Sequence, residues 1–310
     1  MTIFTRASVH WAESRVAIKS CKGSWYSKEH TAPGYSFFRA STASRASSFF
    51  VMESAPFRGI LSKFALSIVL HIRALDKAMP SGYTTEENIP REGDSMTSAS
   101  LQLIALCTML VDHVGLSLFP GVFWLRWIGR LSFPLFLFLL AEGFVHTSSR
   151  RKYALRLGLF AVISEAPYQF LISAVYGGGW QLPCQNVFFE LLMAFFAMWC
   201  VERGGVWLLG AGSAVLVAEC LGMDYGGYGV LLAICFLLFR GNRWGVALSL
   251  AACTGLYCVA HGSWVQAWAL LAAIPMALYN GQRGKRLPKY TLYVFYPVHL
   301  ALLGVLCYFL

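Results

Sequence analysis

The sequence predicts an all-α, polytopic transmembrane helical bundle of about eight to nine spans, and three observations carry that prediction. The 310 residues are 57% hydrophobic and only 13% charged, whereas soluble domains carry about 25% charge. Mean hydropathy is +0.57. The charge is also uneven: residues 96–310 hold 13 Lys and Arg and 7 Asp and Glu. Finally, apolar runs after Met96 alternate with short polar breaks, at the roughly 20-residue length a bilayer demands. This composition excludes a cytosolic globular enzyme. A net charge of +10 in so apolar a chain points to lipid headgroups, because nucleic-acid binding needs a dense basic face on a polar scaffold and none is present. The nine cysteines contain no Cys-x-x-Cys pair and read as small buried hydrophobes.

The first domain-sized stretch, residues 1–95, is rich in Ser, Thr, Ala and scattered basic residues and holds no hydrophobic period. Its one apolar patch, residues 60–72, includes Lys63 and is too short for a span; it suits an interfacial helix or a signal-peptide core. Arg91-Glu92-Gly93-Asp94-Ser95 stands directly before Met96. Glu-Gly-Asp can be encoded by GAA-GGA-GAC, whose purine run resembles a bacterial ribosome-binding site. Translation is therefore expected to begin at Met96, with residues 1–95 an upstream extension; a disordered cytoplasmic tail is the alternative. Residues 96–310 form the membrane domain.

Within that domain, residues 101–119, 123–145, 153–175 and 290–310 reach spanning length. Residues 187–201 and 263–279 reach it with their flanks. Residues 206–221, 223–239 and 246–260 are marginal, and two neighbours among the short ones can instead form a re-entrant hairpin. The connections test the count. Arg150, Arg151, Lys152, Arg203, Arg240, Arg243, Arg283, Lys285, Arg286 and Lys289 all fall in alternate connections, and the intervening ones carry no Lys or Arg. That asymmetry predicts a cytoplasmic amino end and a carboxyl end outside. Trp124, Trp207, Trp244 and Trp264 sit at proposed span ends, where an aromatic belt would place them.

A charge inside a span costs about 2.5–3.5 kcal/mol on insertion scales, so each calls for a partner or a function. Asp112 and Arg130 lie at similar depth on neighbouring antiparallel spans and are expected to pair, fixing helix register, serving catalysis, or both. Arg126 shares a face with Arg130 and reads as an interfacial anchor. His113 follows Asp112, so the two side chains diverge by about 100° on a helix. Glu142 and His146 are spaced i, i+4, a base-and-orienter couple or a capping pair; as metal ligands they lack a third partner. Glu165 lies near mid-membrane before Ala166-Pro167, and His299 lies at comparable depth after Tyr296-Pro297. Two proline-bent helices each presenting an ionisable group suggest a wet cavity between them, with His299 the expected general base or proton carrier. The basic connections, with Arg150, Arg151, Lys152, Arg283, Lys285, Arg286 and Lys289, explain topology and can also steer an anionic ligand such as coenzyme A. Asp224-Tyr225-Gly226-Gly227-Tyr228-Gly229 reads as a tight outer turn lacking the context of a phosphate loop.

An ordered set of pieces carries a resemblance. It runs from Leu103-Ile104-Ala105 and Met109-Leu110-Val111-Asp112-His113-Val114-Gly115 to Leu125-Arg126-Trp127-Ile128-Gly129-Arg130-Leu131-Ser132-Phe133-Pro134. It continues through Ala141-Glu142-Gly143-Phe144, His146-Thr147, Ile163-Ser164-Glu165-Ala166-Pro167 and Asn186-Val187-Phe188-Phe189 to Phe295-Tyr296-Pro297-Val298-His299-Leu300. Together these resemble the TraX family of polytopic bacterial membrane proteins. The resemblance implies an inner-membrane acetyltransferase using acetyl-coenzyme A, with a pilin amino terminus or another cell-envelope group as acceptor. It also implies that a His or carboxylate deprotonates the acceptor while Arg130 or a tyrosine stabilises the oxyanion. One departure is Glu190, where the family pattern leads one to expect Thr. The competing expectation is a proton-coupled transporter using Glu165 and His299, although no inverted repeat of the kind transporters often show is present.

Overall fold

The computed structural model describes residues 95–179, 186–285, 288 and 290–310. The expectations for residues 1–94, and the basic residues Arg286 and Lys289, lie outside the described residues. The helices in chain order are α1 Ser98–Ser117, α2 Phe123–Gly129, α3 Ser132–His146, α4 Arg150–Tyr176, α5 Val187–Arg203, α6 Trp207–Cys220, α7 Gly226–Leu238 and α8 Arg243–His261. A 3-10 segment Trp264–Ala272, α9 Ala273–Ala277 and α10 Thr291–Phe309 complete the chain. Among the described residues, five helical stretches are long and apolar enough to cross a membrane: Ser98–Ser117, Phe123–His146, Arg150–Tyr176, Arg243–His261 and Thr291–Phe309. The fold is an all-α membrane bundle.

Local chemistry sets the boundaries. Four helices start on a side-chain oxygen that accepts a first-turn N–H: Thr97 from Ser100, Ser149 from Lys152, Asn186 from Phe188 and Asn242 from Gly245. Gly177 and Gly204 follow α4 and α5 at φ of 66° and 65°, in the half of backbone space that glycine enters without strain. The span expected over residues 123–145 is one stretch of crossing length, but its helix is interrupted at Arg130–Leu131. Pro134 has no N–H to give the Arg130 carbonyl, so α3 starts afresh at Ser132. Residues 263–279 likewise divide into a 3-10 segment and the short α9, whose first turn contains Pro275. Pro167 and Pro297 are carried inside α4 and α10 without ending them.

Helix faces sort by environment. On α4, Leu155, Leu159 and Val162 form an exposed stripe for lipid, while Leu157, Ala161, Ser164 and Leu171 are buried. The first eleven residues of α7, Gly226–Phe236, are all buried, and the helix is packed among α3, α5, α6 and α8. Because lipid tails are as apolar as leucine, close approach of backbones holds such helices together. Ala197, Cys200, Ala211, Ala214 and Ala218 accordingly form the α5–α6 contact.

Side-chain and backbone contacts show which connections share an end. Arg150 pairs with Glu202, Arg240 with Glu142, and the Ser98 and Ala99 N–H groups donate to the Gln282 and Arg283 carbonyls. These join the Lys- and Arg-bearing connections at one end of the bundle. At the other end the Cys307 thiol donates to the Ser117 and Ala174 carbonyls, and Trp127 stacks on Trp268 with ring centroids 4.8 Å apart.

Candidate functional site

Asp112 sits in the penultimate turn of α1, at the end of the bundle free of basic connections. Gly129 makes room for it: a Cβ there would overlap the Asp112 carboxylate. Arg130 Nη2 donates to both carboxylate oxygens at 2.8 Å, which fulfils the expected pair. Arg126 is more than an anchor. Its Nη1 donates to Asp112 Oδ2 at 2.6 Å and to the Asp112 carbonyl at 3.1 Å, because the break before α3 lets α2 turn both arginines toward α1. Asp112 bridges the two guanidinium groups, and Asp224, just before α7, is a second carboxylate within electrostatic reach of both. Arg130 also lies 5.9 Å from the Tyr225 ring centroid, and its buried Nε has no hydrogen-bond partner.

His113 diverges from Asp112, as helical geometry requires, and meets His299 of α10. His299 Nε2 and His113 Nδ1 are 3.1 Å apart. The tautomers follow from the carbonyls, which can only accept. His299 Nδ1–H donates to the Phe295 carbonyl at 2.7 Å, so in the neutral ring its Nε2 accepts. His113 Nδ1–H is shared between the Met109 carbonyl at 3.0 Å and His299 Nε2. His113 Nε2 then keeps its lone pair, with no hydrogen-bond partner among the described residues. Pro297 frees the Tyr293 carbonyl, whereas the His299 ring is held by the Phe295 carbonyl. Tyr296 lies edge-on to both imidazoles, with centroids 6.2 Å from His113 and 5.7 Å from His299.

Glu165 and His299 do not share a hydrogen bond. Glu165 Oε1 accepts from Gln169 at 2.9 Å and Oε2 from Asn186 at 2.6 Å. Asn186 was not singled out as a site residue, yet it is fully buried and ties α4 to α5. Its amide also donates to the Ala161 carbonyl, and its Oδ1 caps α5. The signal was its place just before an apolar run, where a helix-capping side chain belongs. The next residue, Val187, donates its N–H to the Tyr296 hydroxyl at 3.4 Å, linking this network to the histidine pair.

At the basic end the Glu142–His146 couple takes its capping form. Arg240 Nε holds Glu142 Oε1 at 2.8 Å, whereas His146 Nδ1 is 3.8 Å from the carboxylate and 2.8 Å from the Glu142 carbonyl. Arg150 is engaged by Glu202 and lies over the Phe144 ring at 4.5 Å. Arg151, Lys152, Arg283 and Lys285 are exposed.

The family described as TraX protein matches residues 97–307. The chain belongs to the TraX family. A probable fimbrial assembly protein, FimC of serogroup H1 from Dichelobacter nodosus, is 31% identical over 225 residues, covering 66% of this chain and 92% of that protein. A protein named TraX from Escherichia coli is 27% identical over 220 residues, covering 66% of this chain and 85% of its own length. No solved structure matches the chain.

The TraX-like pieces converge in space. Asp112-His113, Arg126 and Arg130, Asn186 with Glu165, and Tyr296 with His299 form two linked networks between α1, α2, α4, α5 and α10. Glu190, the departure from the TraX pattern, is fully buried, with no side-chain partner among the described residues and the Tyr225 backbone N–H facing its carboxylate. It faces Gly229 of α7, where any Cβ would meet its Oε1.

Proposed function

We propose that this TraX-like protein is an acetyltransferase of the bacterial inner membrane that moves an acetyl group from acetyl-coenzyme A to an amine or hydroxyl of a pilin-like or cell-envelope acceptor. The relatives named for fimbrial assembly and TraX support a pilus-related acceptor. One observation carries the chemistry: the unpartnered Nε2 of His113 at the head of a hydrogen-bonded imidazole pair.

An ammonium group is not nucleophilic until it loses a proton. His113 Nε2 accepts that proton, and the freed amine attacks the thioester carbonyl. As His113 becomes cationic, its Nδ1 proton moves toward His299 Nε2, which spreads the charge over two rings. The tetrahedral oxyanion collapses, the carbon–sulfur bond breaks, and the coenzyme A thiolate leaves, taking up the proton that the attacking nitrogen gives up as the amide forms. The unpartnered Arg130 Nε–H supplies the donor that an oxyanion needs. His113 is thus the base and His299 its proton partner, the reverse of the emphasis that sequence alone suggested. Glu165 and Asn186 are positioning residues that hold α5 and Tyr296 against the pair.

The test is transfer of labelled acetate from acetyl-coenzyme A in membranes bearing the protein. His113→Gln should insert normally and lose turnover by roughly 10²–10⁴-fold. His299→Gln should also lose turnover, and the double variant should be little worse than His113→Gln, because the two rings act as a unit. Near-parental turnover in His113→Gln would place the base elsewhere.

A further inference from the structure

Arg156 is a charge on α4 that has no part in the proposed acetyl transfer. It is the seventh residue of a 27-residue helix, about 9 Å along the axis from the first. At about 40 Å that helix is longer than the roughly 30 Å hydrocarbon layer, so Arg156 lies near the depth where acyl chains give way to headgroups. A charge there calls for a counter-ion or a function. Arg156 forms no ion pair with a carboxylate among the described residues. The acids of the basic end, Glu142 and Glu202, are already held by Arg240 and Arg150.

Polar groups gather around Arg156 from two helices. Its guanidinium carbon lies 5.3 Å from the Tyr153 ring centroid. The Tyr293 hydroxyl of α10 faces both that guanidinium and the Tyr153 hydroxyl. Phe160 packs on Tyr293 with ring centroids 5.0 Å apart, which fixes the phenol in place. Lys152 is exposed four residues before Arg156, on the same helix face and about 6 Å nearer the basic end. Like charges at that spacing repel, and no acid occurs between Arg150 and Ser164 to separate them.

On its other side Arg156 borders lipid. Leu155 and Leu159 are 72% and 58% exposed, and Val294 of α10 is 46% exposed. Two cations and two phenols at headgroup depth therefore open sideways onto an apolar surface. A guanidinium meets phosphate oxygens in pairs, an ammonium adds a point charge, and phenols donate hydrogen bonds. Basic pockets between spans recognise anionic headgroups by this chemistry. We propose that Arg156, Lys152, Tyr153 and Tyr293 form a binding site for one anionic phospholipid, with its phosphodiester between the two cations and its chains along Leu155, Leu159 and Val294. The site does not depend on the acetyltransferase reading. Tyr293, Tyr296 and His299 recur every three residues along α10, so a lipid seated here also braces the helix of His299 against α4.

A ligand that binds the folded protein raises its melting midpoint. The full chain would be melted in phosphatidylcholine nanodiscs with and without phosphatidylglycerol, and the gain compared within each variant. The parent should gain about 2–4 °C. Arg156→Gln should lose most of that gain, Arg156→Lys should keep most of it, and Lys152→Gln should lose part. Lys285→Gln, which removes an exposed charge on a different connection of the same end, should keep the gain. Native mass spectrometry of the parent should show phosphatidylglycerol retained about fivefold over phosphatidylcholine. A parental gain in Arg156→Gln would overturn the site. So would an equal loss in Lys285→Gln, because the attraction would then be spread over the whole basic surface. Equal retention of the two lipids would overturn it even if Arg156→Gln does not fold. The same gain from sn-glycerol 3-phosphate added to phosphatidylcholine discs would assign the pocket to a soluble phosphate and equally overturn the lipid.

Discussion

Glu190 is a costly side chain. It is fully buried, no side chain among the described residues hydrogen-bonds its carboxylate, and the Tyr225 backbone N–H is the donor that faces it. A buried polar group left unsatisfied costs about 1–3 kcal/mol, more if charged. Glu190→Met keeps most of the volume and removes that penalty, so it should raise the thermal midpoint of the detergent-solubilised protein by several degrees. A lower midpoint would mean that the carboxylate is held by a favourable interaction. Other residues were easier to read in advance. Asp112 and Arg130 pair as their matched depths imply. Arg126 was missed as a partner because a straight helix leaves it at the interface, whereas the Pro134 break turns it inward. His113 and His299 are 186 positions apart, and only the packing of α10 on α1 brings them together, so no local pattern announces the pair.

Helices are held together here by close backbone approach, and α10 depends on it. Gly304 faces α4 so closely that an added Cβ would lie 2.5 Å from Phe170 Cδ1 and 3.5 Å from Leu171 Cα. Gly304→Val should therefore push α10 away from α4, cost about 1–3 kcal/mol and lower the melting midpoint. It should also lower turnover, since α10 carries His299 to His113. Gly255 on α8 has nothing within 4 Å of such a Cβ, so Gly255→Ala should be neutral. Equal midpoints for the two variants would sink the packing argument. Spans and their order were legible because hydrophobic length and turn chemistry are local. The internal breaks at Arg130–Leu131 and after Ala272 were not. They follow from Pro134 and Pro275, whose effect depends on which carbonyl loses its donor, while Pro167 and Pro297 are tolerated within longer helices.

At the scale of the whole molecule, contacts divide the connections into two sets without saying which side of the membrane each faces. Charge supplies that. The connections joined by Arg150–Glu202, Arg240–Glu142 and the α1 amino end hold ten Lys and Arg, and the opposite set holds none. Positive connections stay in the cytoplasm, so the amino end of α1 should be inside and the carboxyl end of α10 outside. Alkaline phosphatase fused after Gly178 should be active, and fused after Lys285 inactive. The short helices α6 and α7 do not affect this outcome. They leave and return on the same side whether they cross fully or form a re-entrant pair, so the count between Val206 and Leu238 cannot rescue a wrong orientation. Active fusions after Lys285 with silent ones after Gly178 would invert the protein. Inversion would also place the basic connections outside the cell, where no coenzyme A thioester is available, and the proposed direction of acetyl transfer would fall together with the topology.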